Sequence, residues 1–134
     1  MLIMNITRAA DYAIRILVAL SSKKGVVSSK ELAEEINVPF NHLSKVVQLL
    51  SRRGYIRSRK GKGGGIVLAK NPKQIDLAEV VEAIEGPLVL SECLFNRKSC
   101  RLSGKCKFHK CLGALQSQMR KFLASRTIFD LLPA

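Results

Sequence analysis

Ser28-Ser29-Lys30-Glu31-Leu32-Ala33-Glu34-Glu35-Ile36-Asn37-Val38-Pro39-Phe40-Asn41-His42-Leu43-Ser44-Lys45-Val46-Val47-Gln48-Leu49-Leu50 is the stretch on which the fold turns. Ser28 followed by Glu31 is a capping-box pattern, because each side chain can bond a free backbone N–H of the other's turn. Leu32, Ala33 and Ile36 then fall on one helical face, and that short helix ends near Asn37. Pro39 suits the first turn of the next helix, where a missing N–H costs nothing. Leu43, Val46, Val47 and Leu50 form its apolar stripe, and Gly54 is a natural C-terminal stop. Two short helices joined by a tight turn read as a helix-turn-helix.

Working outward, Ile6, Ala10, Ala13, Ile14 and Leu17 predict a preceding amphipathic helix over about Thr7–Ser21, broken by Ser21–Gly25. Downstream, Tyr55–Arg59 and Ile66–Ala69 read as two strands joined by Lys60–Gly65. Asp76 with Glu79 caps a further short helix bearing Leu77, Val80, Val81 and Ile84, closed by Gly86-Pro87. A basic, cysteine-rich loop spans about Ser91–Lys110. Beyond it Phe108, Leu112, Leu115, Met119 and Phe122 alternate steps of four and three, a heptad seam. Thr127 can cap a last short helix carrying Ile128, Phe129, Leu131 and Leu132. The expected fold is mainly α with a small β-hairpin wing: a winged helix-turn-helix followed by a long C-terminal helix. It divides into a DNA-binding domain (1–86), a cysteine loop (87–110) and a closing helical segment (111–134).

The chain has 134 residues, 47% of them hydrophobic, enough for a packed core, and a formal net charge of +13. Such a balance calls for a polyanionic partner, since Lys and Arg placed on phosphates release condensed counterions. The distribution favours double-stranded DNA. From Arg52 to Lys73 there are eight basic residues and no acid, four of them on the hairpin. The N-terminal residues of the second helix would meet base edges in the major groove. Those are Pro39, Phe40, Asn41, His42, Ser44 and Lys45. Asn41 can read adenine, Ser44 several bases, and Lys45 guanine or phosphate, while Phe40 or His42 can pack on a thymine methyl. The glycines of the hairpin tip would let it approach the sugar-phosphate backbone or a minor groove with Arg59, Lys60 or Lys62. A phosphate loop of the Walker type is excluded, because it must end in G-K-[ST] and open a helix. No acid–base or nucleophile constellation is present, so an enzyme is not expected.

Ile14–Leu20 is interrupted by Arg15 and too short to span a bilayer, and no signal peptide is visible. A cytoplasmic protein without membrane attachment is therefore expected. Its four cysteines then lie in a reducing compartment, where metal or redox chemistry is favoured over disulfides. Cys93, Cys100, Cys106 and Cys111 are separated by gaps of six, five and four residues. Thiolates select zinc, Cu(I) or iron–sulfur clusters. Only the last gap resembles a zinc knuckle, and none resembles the ferredoxin run. Longer gaps suit a loop wrapped around a surface cluster. The intervening Arg97, Lys98, Arg101, Lys105, Lys107 and Lys110 would stabilise a net anion, or equally touch DNA.

The opening T-R-A-A-D-Y-A-I-R (Thr7–Arg15) resembles the first helix of the IscR/NsrR-type bacterial regulators, the Rrf2 family. So do Pro39 through Gly54, the R-K-G-K-G-G-G wing (Arg59–Gly65) and L-A-E-V-V-E-A-I-E-G (Leu77–Gly86). Cys93, Cys100 and Cys106 ahead of a long helix complete the likeness, which covers nearly the whole chain. The resemblance implies a homodimer built on the long C-terminal helix, a palindromic operator and an iron–sulfur cluster controlling DNA affinity. It implies Cys93, Cys100 and Cys106 as ligands, with a fourth position open to three residues. Asp11 matches the aspartate that nitric-oxide-sensing members contribute from the partner subunit to a 4Fe–4S cluster, the cluster type slightly favoured here. His109 matches the histidine that IscR-like members place on a 2Fe–2S cluster. Cys111 is extra to both patterns. With a helix already begun at Cys106, His109 would lie roughly 60° around the axis and Cys111 about 140° away, on the seam. A weak oxygen or imidazole ligand would let nitric oxide, oxygen or iron shortage reach the metal. Two other readings stay open: a clusterless regulator of this fold governed by zinc or thiol oxidation, and a small electron-transfer or cluster-carrier protein.

Overall fold

The computed structural model describes residues 6–96, 101–102 and 104–133. Helix α1 (Arg8–Ser21) starts where Thr7 accepts a hydrogen bond from the Ala10 N–H, and the Thr7 hydroxyl also donates to Glu85. Ala10, Ala13, Ile16, Leu17 and Leu20 form its buried face. The expected stripe is thus rotated: Ile6 is exposed and Ile14 only half-buried, while Ile16 and Leu20 fill the core.

Helix α2 (Ser29–Glu35) is capped by Ser28, which accepts from the Glu31 N–H. The turn to α3 (Phe40–Arg52) passes through Asn37 in the left-handed region, φ 55°, which asparagine tolerates better than most residues. Pro39 sits just outside α3 with extended backbone. Leu43, Val46, Val47 and Leu50 are buried as the periodicity predicts. Gly54, φ 83°, then turns the chain into the hairpin.

Strands β1 (Ile56–Arg59) and β2 (Gly65–Leu68) pair antiparallel, Ile56 opposite Leu68 and Arg59 opposite Gly65. A third strand contact is absent from any local pattern: Val27 and Ile66 exchange two 2.8 Å backbone bonds, fastening the wing to the loop before α2. Gly65 at the wing's base serves this contact, and Gly64 the turn beside it. A Cβ on Gly65 would come within 2.2 Å of the Val27 carbonyl oxygen, and one on Gly64 within 2.3 Å of the Arg59 carbonyl oxygen. Their role is therefore close packing inside the wing, before any approach to DNA.

Helix α4 (Leu77–Glu85) is capped by Asp76, which accepts from the Glu79 N–H at 2.8 Å. It buries Leu77, Ala78, Val80 and Val81 against α1 and α3. After the short α5 (Glu92–Phe95), the long α6 (Lys107–Ala124) runs back to the domain. The chain then closes on itself. Leu77 N–H donates to the Arg126 carbonyl and Ile128 N–H to the Ile75 carbonyl, both 2.9 Å, and Ile128 is fully buried in the main core. The last turn, Phe129–Leu131, is a 3-10 helix rather than a regular α-helix. Thr127 and Asp130 brace it by exchanging side-chain-to-backbone bonds. Among the described residues, no helix is long and apolar enough to cross a membrane.

Candidate functional site

Two surfaces collect the residues singled out from the sequence. The first is the exposed side of α3 with the hairpin. Apolar residues of α3 point inward, so its outward positions are left polar: Asn41, His42, Lys45 and Gln48 are exposed, and Ser44 is half-buried beside them. Phe40 is 55% exposed at the first turn, a large apolar side chain facing solvent. In the hairpin, Arg57, Arg59, Lys60 and Lys62 are all exposed, and none of them forms an ion pair among the described residues. The two sets belong to one rigid unit because α3 runs directly into β1 and the wing is fastened to Val27. A helix of 13 residues with a polar outer face, beside a narrow cationic ribbon, has the dimensions of a major-groove reader flanked by a backbone contact.

Sequence reasoning missed three members of this surface. Gln48 continues the outer face of α3 one turn on. Tyr12 and Arg8 come from α1: the Tyr12 ring stacks on His42 with centroids 6.1 Å apart and planes 29° from parallel. Only the tertiary fold brings those helices together, so no local signal could have found the pair.

The second surface lies at the head of α6. Cys93 on α5 is half-buried, with the His109 Nδ1 3.4 Å from its Sγ and the Ser91 Oγ at 3.3 Å. The segment is held onto α6 by the Leu90 N–H, which donates to Gln116 Oε1 at 2.8 Å. Cys106 is half-buried and immediately precedes α6 with extended backbone, so the helix has not begun there. The angular comparison of His109 and Cys111 from Cys106 therefore does not apply. Cys111 is exposed rather than buried as a small apolar residue. Cys100 lies outside the described residues. Among the described residues, no group of three or more metal-binding side chains is assembled within one chain. Cys93, Cys106 and Cys111 are free thiols. Asp11 is half-exposed on α1 and is gripped by Arg15, with contacts of 2.9 and 3.2 Å from the guanidinium.

Helix α6 has two unlike sides. Leu112, Gln116 and Leu123 are half-buried toward the chain's own domain, and Arg120 Nε lies 2.7 Å from Glu82 Oε1. Phe108, Leu115, Met119 and Phe122 face outward, Phe108 67% and Phe122 59% exposed. The predicted seam is thus divided, with Leu112 on the inner side. Four large apolar side chains along one helix are a contiguous patch of the kind that marks an interaction surface.

A family model described as "Rrf2: Iron-dependent Transcriptional regulator" matches residues 6–134. The chain is 37% identical over 132 residues to the HTH-type transcriptional regulator NsrR of Shouchella clausii, covering 96% of this chain and 88% of that relative. In fold it is similar to CymR, the global cysteine regulator of B. subtilis, with a TM-score of 0.76 at 24% identity over 96% of each chain. It is also similar to IscR of T. potens, with a TM-score of 0.72 at 20% identity over 96% of this chain and 85% of that one.

Proposed function

The chain belongs to the Rrf2 family and is a DNA-binding transcriptional regulator, not an enzyme; from that premise we propose that it binds a palindromic operator as a homodimer under the control of an iron–sulfur cluster. Residues 1–86 form the DNA-reading unit, 87–110 the ligand loop and 111–134 the dimerising segment. Pro39, Phe40, Asn41 and Ser44 address the major groove. His42 and Lys45 complete the DNA-facing side of α3 where it borders the backbone, and Arg59, Lys60 and Lys62 address the flanking backbone or minor groove. The outward apolar side of α6 is the dimer contact.

Cys93, Cys100 and Cys106 are the thiolate donors. Of the three residues open for the fourth position, His109 has the strongest support, and this observation carries the reading: its imidazole already stands 3.4 Å from the Cys93 sulfur. Asp11 would first have to leave Arg15, and Cys111 is exposed on the helix surface. A histidine-ligated site moves the preference toward a 2Fe–2S cluster, with 4Fe–4S the alternative. When bound, the group would supply a redox-active centre sensitive to nitric oxide or oxygen, with His109 holding it through a weaker donor than a fourth thiolate. The chain's own contribution is mechanical. The ligand loop and α6 are joined through Leu90 and Gln116, so a change in how Cys93 and His109 are held shifts the dimer helix and with it the spacing of the two recognition helices.

Anaerobic purification with iron and sulfide counts, an absorption spectrum, and DNA binding of loaded and stripped protein test this together. Equal iron and sulfide, a spectrum altered by His109→Ala but not by Asp11→Ala, and different DNA affinities of the two forms are expected. Zinc without sulfide would instead establish the clusterless regulator, and redox cycling without a sequence-specific footprint the electron carrier.

A further inference from the structure

We propose that the DNA-binding surface extends from α3 onto the first turns of α1, where Arg8, Tyr12 and Lys45 grip the sugar-phosphate backbone, and that His42 is a positioning residue packed on Tyr12. The inference rests on α3 being the DNA-reading helix. Arg8, Ala9 and Tyr12 on α1 face His42, Lys45 and Val46 on α3 across a shallow depression that opens to solvent. Its floor is apolar, made by Ala9, Val46 and the stacked rings of Tyr12 and His42. Its rim is cationic: Arg8 and Lys45 are exposed, and neither forms an ion pair among the described residues. The nearby acid on α1, Asp11, is already neutralised by Arg15. An apolar floor between two free cations matches a deoxyribose flanked by phosphates, the repeating chemistry of a DNA strand. Lys45 belongs at once to this depression and to the outer face of α3, so the strand gripped here borders the groove that Asn41 and Ser44 enter. His42 lies nearly parallel to the Tyr12 ring, with centroids 6.1 Å apart, and a ring packed that way braces the first turn of α3 against α1 instead of turning to a base edge.

The test uses the full chain, a duplex selected from a random-sequence library for tight binding, and an unselected duplex of equal length, titrated by fluorescence anisotropy across a salt series. Arg8→Ala should weaken both duplexes by a similar factor and lower the slope of log affinity against log salt by about one. Tyr12→Phe keeps the stacked ring and should preserve the ratio of selected to unselected affinity, as should His42→Ala, whereas Asn41→Ala should reduce that ratio by about tenfold or more. Thermal midpoints of the variants separate lost contacts from lost folding. An Arg8→Ala protein with unchanged affinity and slope overturns the extension onto α1. A His42→Ala protein that loses discrimination at one base pair makes His42 a reader and overturns its positioning role. If Asn41→Ala is silent while the salt slope stays steep, the reading of α3 falls, and this inference with it.

Discussion

Tyr55 sits at the junction of α3 and the hairpin, buried, with the Lys70 ammonium 5.2 Å above its ring and Lys70 in turn 3.7 Å from Glu79. Its hydroxyl pKa is pushed up to about 12, first by burial, then by the charge and hydrogen-bonding pull of the neighbouring Glu79 carboxylate. The folded state therefore holds the phenolic proton more tightly than the unfolded chain, where the value is 10.0. The resulting stabilisation is complete below that unfolded value and drains away as pH rises through about 12. Tyr55→Phe removes the titrating group. Denaturant midpoints measured at intervals from pH 9 to pH 12 should fall more steeply for the natural protein than for the variant; parallel curves would show that Tyr55 does not carry the alkaline loss. The same residue illustrates what a single sequence conceals. Tyr55 reads there as an ordinary strand residue, and Glu79 as half of a helix cap. Their meeting follows only from the packing of α4 against α3, whose end leads into Tyr55.

Among the elements, those defined by nearby residues were readable in advance. The caps at Ser28 and Asp76, the buried stripe of α3 and the antiparallel hairpin all arise within a few residues of chain, where periodicity and turn chemistry act. What escaped reading depends on distant contacts: the Val27–Ile66 pairing, the rotated face of α1 and the return of the last segment into the core. The last has the largest energetic consequence. Ile128 is fully buried in the main cluster, and its N–H completes a bridge to the Ile75 carbonyl. Removing such a side chain to alanine costs about 2–5 kcal/mol through lost burial and the cavity left behind. Ile128→Ala should lower the stability of the whole winged domain by that amount in a denaturant titration, and should reduce DNA affinity only as far as unfolding does. Phe129→Ala, at a half-exposed neighbour, should cost much less. Equal small effects from both would mean that the terminal segment is a passive tail.

On the scale of the whole molecule, the charge distribution sets two demands against each other. From Cys93 to Phe129 the chain carries nine basic residues and no acid. A symmetric contact through the outer side of α6 brings the basic surfaces of two copies together, so like charges that flank the apolar stripe approach one another. Arg120 is offset by Glu82, but Lys107, Lys110 and Lys121 form no ion pair among the described residues. Exposed charge pairs are worth about 0.2–1 kcal/mol each. The repulsion reaches about 30 Å at 0.01 M salt and about 10 Å at 0.1 M. The apolar seam is not screened in this way. Dimerisation should therefore tighten as salt rises, on the order of tenfold between those conditions for three such pairs, while the affinity of a formed dimer for DNA falls. Operator affinity measured near the dimer dissociation constant should accordingly rise and then fall with salt, and at high protein concentration only fall. Sedimentation equilibrium across a salt series, with Lys110→Glu as the variant expected to flatten the response, checks the first half. A dimer that loosens with added salt would require acids of the partner opposite these lysines, and would move the contact off the outer side of α6.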